Sequence, residues 1–176
     1  MPHIHTQSGQ HDHTASAIII RLDGGEPKVM LHRHKNAGVY IQFGGHVELD
    51  ETPWQAIAHE LLEESGYDLD QLTLLQPHDR IKFLNHSTVH PQPVVVNTHQ
   101  ISTEHAHIDS IYAFVTSEEP AHNVAEGESS DFCLLNRQEL VDLPEKEMFP
   151  NVREICLHIF DVCLPKWERV NPKYYK

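Results

Sequence analysis

Positive charge, sulfur and long apolar runs are all scarce in this chain of 176 residues. Lysine and arginine number 13 against 26 acidic residues, a formal net charge of −13, which excludes a broad electrostatic grip on DNA or RNA. No apolar run approaches the roughly 18 residues needed to span a bilayer, so no membrane partner is expected. The stretch from Met1 to Thr14 lacks the apolar core of a secretory signal. The three cysteines, Cys133, Cys156 and Cys163, form no CxxC pair. Cys156 and Cys163 fall on the apolar face of the last helix and read as buried thiols, which points to a reducing cytoplasm.

What remains is the composition of an ordinary globular chain, 39 % hydrophobic and 22 % charged. Residues 1–176 read as one domain, with 1–13 as a loose His-rich tail and 166–176 as a C-terminal tail. Histidine is over-represented, with 16 copies, several in i, i+2 pairs: His3/His5, His11/His13, His32/His34 and His105/His107. Such pairs suit Zn²⁺ or Ni²⁺, although none of them carries a full ligand set by itself. An acidic protein that handles a phosphorylated substrate needs cations to offset the repulsion, and a divalent metal supplies them.

Hydrophobic periodicity predicts strands over 14–22, 28–32 and 39–43, the last running into Gly44-Gly45. A helix is predicted over 53–65. Thr52 is its N-cap, Pro53 its first residue, Gln55 completes a T-x-x-Q capping box, and Gly66 is its left-handed stop. Further strands are expected at 72–76, 80–85, 93–101, 108–116 and 131–135. Helices follow at 137–143 and 152–163, the latter ended by Pro165. Strands and helices interleave irregularly, as in a mixed sheet flanked by helices.

On the first helix, Glu60, Glu63 and Glu64 stand at i, i+3 and i+4 and gather their carboxylates on one face. Trp54, Ile57, Ala58, Leu61 and Leu62 gather on the other and are expected to pack on the sheet. Bare carboxylates this close repel. A hard dication reverses that sign, and oxygen donors are what Mg²⁺ and Mn²⁺ prefer.

Gly45, five residues, Glu51, seven residues, His59-Glu60-Leu61-Leu62-Glu63-Glu64-Ser65-Gly66-Tyr67 resembles the Nudix box. That pattern is Gly, five residues, Glu, seven residues, Arg-Glu, an aliphatic, any residue, Glu-Glu, any residue, Gly and an apolar residue. Every spacing agrees, and one fixed residue differs. The resemblance implies an α/β/α sandwich around a mixed β-sheet. It implies hydrolysis of a pyrophosphate bond in a small nucleotide-like substrate: a nucleoside diphosphate linked to another moiety, of ADP-ribose or nucleotide-sugar type, or a nucleoside triphosphate. It further implies Mg²⁺ (with Mn²⁺ as substitute) held by Glu60, Glu63, Glu64 and the Gly45 carbonyl. A carboxylate outside the box is expected to act as base, Glu128 in preference to Glu126. Homodimers are frequent among similar proteins.

The departure is His59, where the family carries an Arg that pairs with the carboxylate matching Glu51. Histidine is shorter, lacks the bidentate fork and is mostly neutral at pH 7, so the brace weakens, or strengthens as pH falls towards 6. This motivates a second reading, a Nudix-fold ligand-binding or regulatory module with little catalysis. Phe43, where Pro often precedes the two glycines, is a lesser departure. His105, His107 and Asp109 are expected on one strand face, as a polar cleft wall or a second metal site. His86 and His90, in the loop from Asn85 to Pro93, are candidates for phosphate contact.

Overall fold

The structure is a computed structural model that describes residues 4, 7 and 9–175. His3 and His5 lie outside the described residues. Nine strands form one sheet with the order β3-β2-β1-β7-β5-β9; β4 pairs with β1, β6 with β7 and β8 with β2. The strands are β1 (His11–Arg21), β2 (Lys28–Arg33), β3 (Tyr40–Ile41), β4 (Phe43–His46), β5 (Thr73–Gln76), β6 (Val95–Gln100), β7 (Ala106–Thr116), β8 (Phe132–Leu135) and β9 (Glu168–Val170). The β1–β7 pairing is parallel and the other pairings are antiparallel, so the sheet is mixed, as expected.

Helices cover both faces, which explains the unbroken apolar run at the centre of β1. Ala15, Ala17 and Ile19 face helix α1 (Pro53–Ser65), in a core with Trp54, Ile57, Leu61, Tyr112 and Phe114. Ile18 and Ile20 face the opposite layer, where Ile111, Val152, Cys156, Ile159 and Cys163 pack around helix α3 (Pro150–His158). A short helix α2 (Arg137–Asp142) adds Leu140 to that layer. Cys156 and Cys163 are buried, as expected.

Several expectations need correction. Residues 11–13 are not a loose tail, because His11, Asp12 and His13 pair in register with Ala106, His107 and Ile108 of β7. Nor is the C-terminal tail untidy: β9 pairs with β5, and the Trp54 indole N–H donates to the Tyr175 carbonyl. Residues 80–85 form no strand. The edge of β5 is taken by β9, the segment makes only an isolated bridge from Leu84 to Ser87, and Ile81 and Phe83 stay 65 % and 75 % exposed. The stretch 39–43 splits into β3 and β4. The last helix runs through Pro165. A π-helical turn at Ile159–Cys163 lets the Leu164 N–H reach the Ile159 carbonyl, and Pro165 then sits in the first turn of Leu164–Lys166, where a missing N–H costs little.

Helix α1 is bounded as its sequence predicts. The Thr52 hydroxyl accepts from the Gln55 N–H at 3.3 Å, and the Gln55 side chain accepts from the Thr52 N–H at 2.8 Å. Gly66 adopts φ of 75° at the C-cap, where a Cβ would collide with the His122 carbonyl oxygen. Two details differ: Leu62 is 37 % exposed and Ala58 only half-buried, whereas Ala56 is in the core.

Candidate active site

The helix face carrying the carboxylates is not a solvated surface. Glu60 and Glu64, one turn apart, are only 3 % and 8 % exposed, while Glu63 is exposed. Buried carboxylates on adjacent turns are costly unless something compensates them. Glu64 has a partial answer: its Oε2 accepts the Gly44 N–H at 2.7 Å. The glycine loop can approach this closely because Gly44 sits at φ of +142°, and a Cβ there would strike the Ala15 carbonyl oxygen. Glu60 has less help, since its Oε1 is buried with no hydrogen-bond partner among the described residues. Burial pushes the Glu60 carboxyl up to about 7, against the partly offsetting charge of His59. Burial also pushes Glu64 up to about 8, against the Gly44 hydrogen bond, and the neighbouring charge of Glu60 adds to the rise.

The box residues come together, but the group whose ligand atoms meet takes in His59 in place of the expected Glu64. One ligand atom each from His59, Glu60 and Glu63 lies within 4.8 Å of the others. His59 Nε2 stands 3.1 and 3.3 Å from the two carboxylate oxygens of Glu51, so the Glu51–His59 pair is formed despite the missing Arg. Glu51 also accepts the Glu48 N–H at 2.9 Å, which pins the loop before α1.

Glu128 comes from the loop after β7. That loop is tied to the end of α1, where the Ala125 N–H donates to the Glu63 carbonyl at 2.7 Å and the His122 N–H to the Gly66 carbonyl at 3.1 Å. The Glu128 N–H in turn donates to the Ala125 carbonyl at 3.0 Å. The half-buried Glu128 carboxylate adds to the rise in both Glu60 and Glu64, whereas Glu126 is exposed.

One neighbour entered the sequence reading only as half of the His32/His34 pair, not as part of this site. His32 on β2 is 2 % exposed, its ring centroid 5.0 Å from that of Phe43 and its Nε2 3.9 Å from Glu64 Oε2. Burial lowers its pKa to about 4, so the ring is neutral against the carboxylate. The only signal for it was an inward position two residues after Met30. His86 and His90 lie in an exposed loop. Asp109 faces the Ser16 hydroxyl at 3.0 Å, and burial raises its pKa. His107 and Asp109 pair with Asp12 and Thr14 of β1 and so share one face of β7, as expected, while His105 precedes the strand.

A NUDIX domain family model matches residues 11–156, most of the chain. The chain belongs to the Nudix family. Among solved structures, a hydrolase of the NUDIX family from Clostridium perfringens superposes with a TM-score of 0.71 at 26 % identity, covering 87 % of this chain and 98 % of that one. The Ap4A hydrolase of C. elegans superposes with a TM-score of 0.59 at 14 % identity, over 84 % of this chain and 94 % of that one. The NUDIX domain of Shewanella oneidensis NrtR, complexed with ADP ribose, gives a TM-score of 0.54 at 14 % identity, over 86 % and 89 %. The last two speak for the fold alone. The family match together with the hydrolase from C. perfringens supports a Nudix pyrophosphohydrolase. No helix among the described residues is long and apolar enough to cross a membrane.

The donor set suits a hard dication. It is made of carboxylate oxygens, two of them buried at raised pKa, with one buried oxygen left unpartnered. A divalent cation satisfies that oxygen and removes the cost of ionising the pair.

Proposed function

We propose that this chain is a Mg²⁺-dependent Nudix pyrophosphohydrolase, with Mn²⁺ as a substitute, acting on a small nucleoside diphosphate derivative or a nucleoside triphosphate. The observation that carries the reading is the buried pair Glu60 and Glu64, of which one oxygen is orphaned and another bonds the glycine-loop N–H. A protein of net charge −13 has no other evident reason to bury two acids side by side.

In this reading Glu60, Glu63, Glu64 and the Gly45 carbonyl hold the ion. A bound Mg²⁺ neutralises phosphate charge and polarises the scissile linkage as a Lewis acid. Glu64 also orients the glycine loop through the Gly44 N–H. Glu51 and His59 fix each other, and so hold the start of α1 against the loop before it. Glu128 takes the proton from the attacking water, its loop being fastened to the end of the same helix. A Nudix-fold ligand-binding module is the second reading, favoured by the single-point contact of His59 with Glu51 where the family has an Arg fork.

The test is phosphate release from ADP-ribose, nucleotide sugars, dinucleoside polyphosphates and nucleoside triphosphates, with Mg²⁺ or Mn²⁺ from pH 6 to 9, beside a Glu64→Gln control. Metal-dependent turnover lost in the control supports the hydrolase and names its substrate class. Silence across the panel from folded, metal-binding protein replaces it with the binding module.

A further inference from the structure

Across the sheet from α1 lies a second cluster with different donor chemistry. We propose that Asp12, His46, His105 and His107 form a site for one borderline transition-metal dication of the Zn²⁺ class, distinct from the carboxylates of the box. Strand alternation sets the face. Ala15 and Ala17 point into the α1 core, so Asp12, an odd number of positions away, points to the other side. The parallel register places Asp12 beside His107, and the β1–β4 pairing brings His46 up beside Thr14 on that same side.

The distances fit a small cation. Asp12 Oδ2 lies 3.3 Å from His105 Nε2 and 3.5 Å from His46 Nε2. One ligand atom each from Asp12, His105 and His107 falls within 4.8 Å of the others. The His107 ring stands edge-on to those of His46 and His105, with centroids 4.9 and 5.4 Å apart. A tetrahedral zinc with bonds of about 2.1 Å separates its ligand atoms by about 3.4 Å, which is the spacing found around Asp12 Oδ2. That oxygen also accepts the Ile4 N–H at 3.0 Å, which holds the carboxylate in place.

Donor type separates the two sites. Three imidazoles and one carboxylate favour Zn²⁺, Co²⁺ or Ni²⁺, whereas the box offers mainly oxygen, which favours Mg²⁺ or Mn²⁺. Asp12, His105 and His107 are the three whose ligand atoms meet, and His46 reaches Asp12 Oδ2 as the fourth, which would close the shell and make the role structural. The ion ties together the start of β1, the end of β4 next to Gly45 and the start of β7. The rival account is a histidine–carboxylate hydrogen-bond network that needs no metal.

The test uses untagged full-length protein stripped by chelator, then titrated with Co²⁺ as a spectroscopic probe and back-titrated with Zn²⁺. The expected result is one equivalent of Co²⁺ with intense tetrahedral visible bands, displaced by Zn²⁺, in wild type and equally in Glu60→Gln/Glu64→Gln. In His105→Ala/His107→Ala the affinity falls by about 100-fold or more. Circular dichroism of the metal-free proteins checks folding. If the double variant does not fold, His105→Gln, at a half-buried position, carries the test with a loss of about 10-fold. An unchanged cobalt spectrum and affinity in the folded histidine variants overturns the proposal. So does weak octahedral binding alone in wild type, or loss of the tetrahedral bands in the box variant.

Discussion

Two polar clusters flank the same sheet, and they were assembled in opposite ways. Glu60, Glu63 and Glu64 sit within two turns of α1, so helical periodicity alone brings them together. Asp12, His46, His105 and His107 come from three strands and the approach to one of them, and only the register of β1 against β4 and β7 makes them neighbours. The first cluster is hard, anionic and partly unsatisfied; the second is rich in imidazole and closed around one carboxylate. Local clusters can be read from spacing, whereas non-local ones need the sheet.

The comparison breaks most decisively at Glu64. Glu64→Gln should lower kcat by about 10³-fold in steady-state assays, because it removes a proposed ligand oxygen, while leaving Zn²⁺ or Co²⁺ binding at the histidine cluster intact. Full activity in this variant would empty the box of its assigned role. Next in size is Leu61→Ala, which leaves both clusters untouched and opens a cavity in the α1 core. It should cost about 2–5 kcal/mol in chemical denaturation, and a loss below 1 kcal/mol would mean that α1 is not anchored as described.

The third prediction concerns pH in metal-free protein. Glu60 and Glu64 rise from 4.5 unfolded to about 7 and about 8 folded. The folded state therefore binds more protons than the unfolded state between those values. The stabilising effect is fully present below 4.5 and is lost as pH rises through 7 to 8, by on the order of a few kcal/mol. Thermal melts should thus fall from pH 5 to pH 8.5 without metal, and saturating Mg²⁺ should flatten the curve. Glu60→Gln/Glu64→Gln should flatten it without metal; a slope that survives in that variant would place its origin elsewhere.

Smaller effects sharpen the picture. His59→Arg should raise kcat by no more than about 10-fold, with little change in KM, since it adds a second hydrogen bond to Glu51 without touching substrate. A larger gain would favour the reading of a binding module with weakened catalysis. Thr52→Ala should cost about 1 kcal/mol of stability through the lost cap, with turnover per folded molecule unchanged.

Much of the fold near the box was legible because its signals are local. The Thr52–Gln55 capping box, the Gly66 stop and the burial of Trp54, Ile57 and Leu61 all follow from residues a few positions apart. Legibility failed where a distant partner decided the outcome. Residues 80–85 have the alternation of a strand yet join no sheet, because β9 occupies the β5 edge. Residues 11–13 have the polarity of a tail yet form strand, because β7 extends far enough to pair with them.

By itself, then, the sequence determined the family, the helix of the box with both its ends, and the placing of Glu60, Glu63 and Glu64 on it, since an α-helix converts fixed spacing directly into a shared face. Tertiary structure alone decided that Glu60 and Glu64 are buried, that His32 stands beside them, and that Asp12 meets three histidines. Those facts depend on strand register and loop closure, which bring together residues whose separation along the chain carries no period to read.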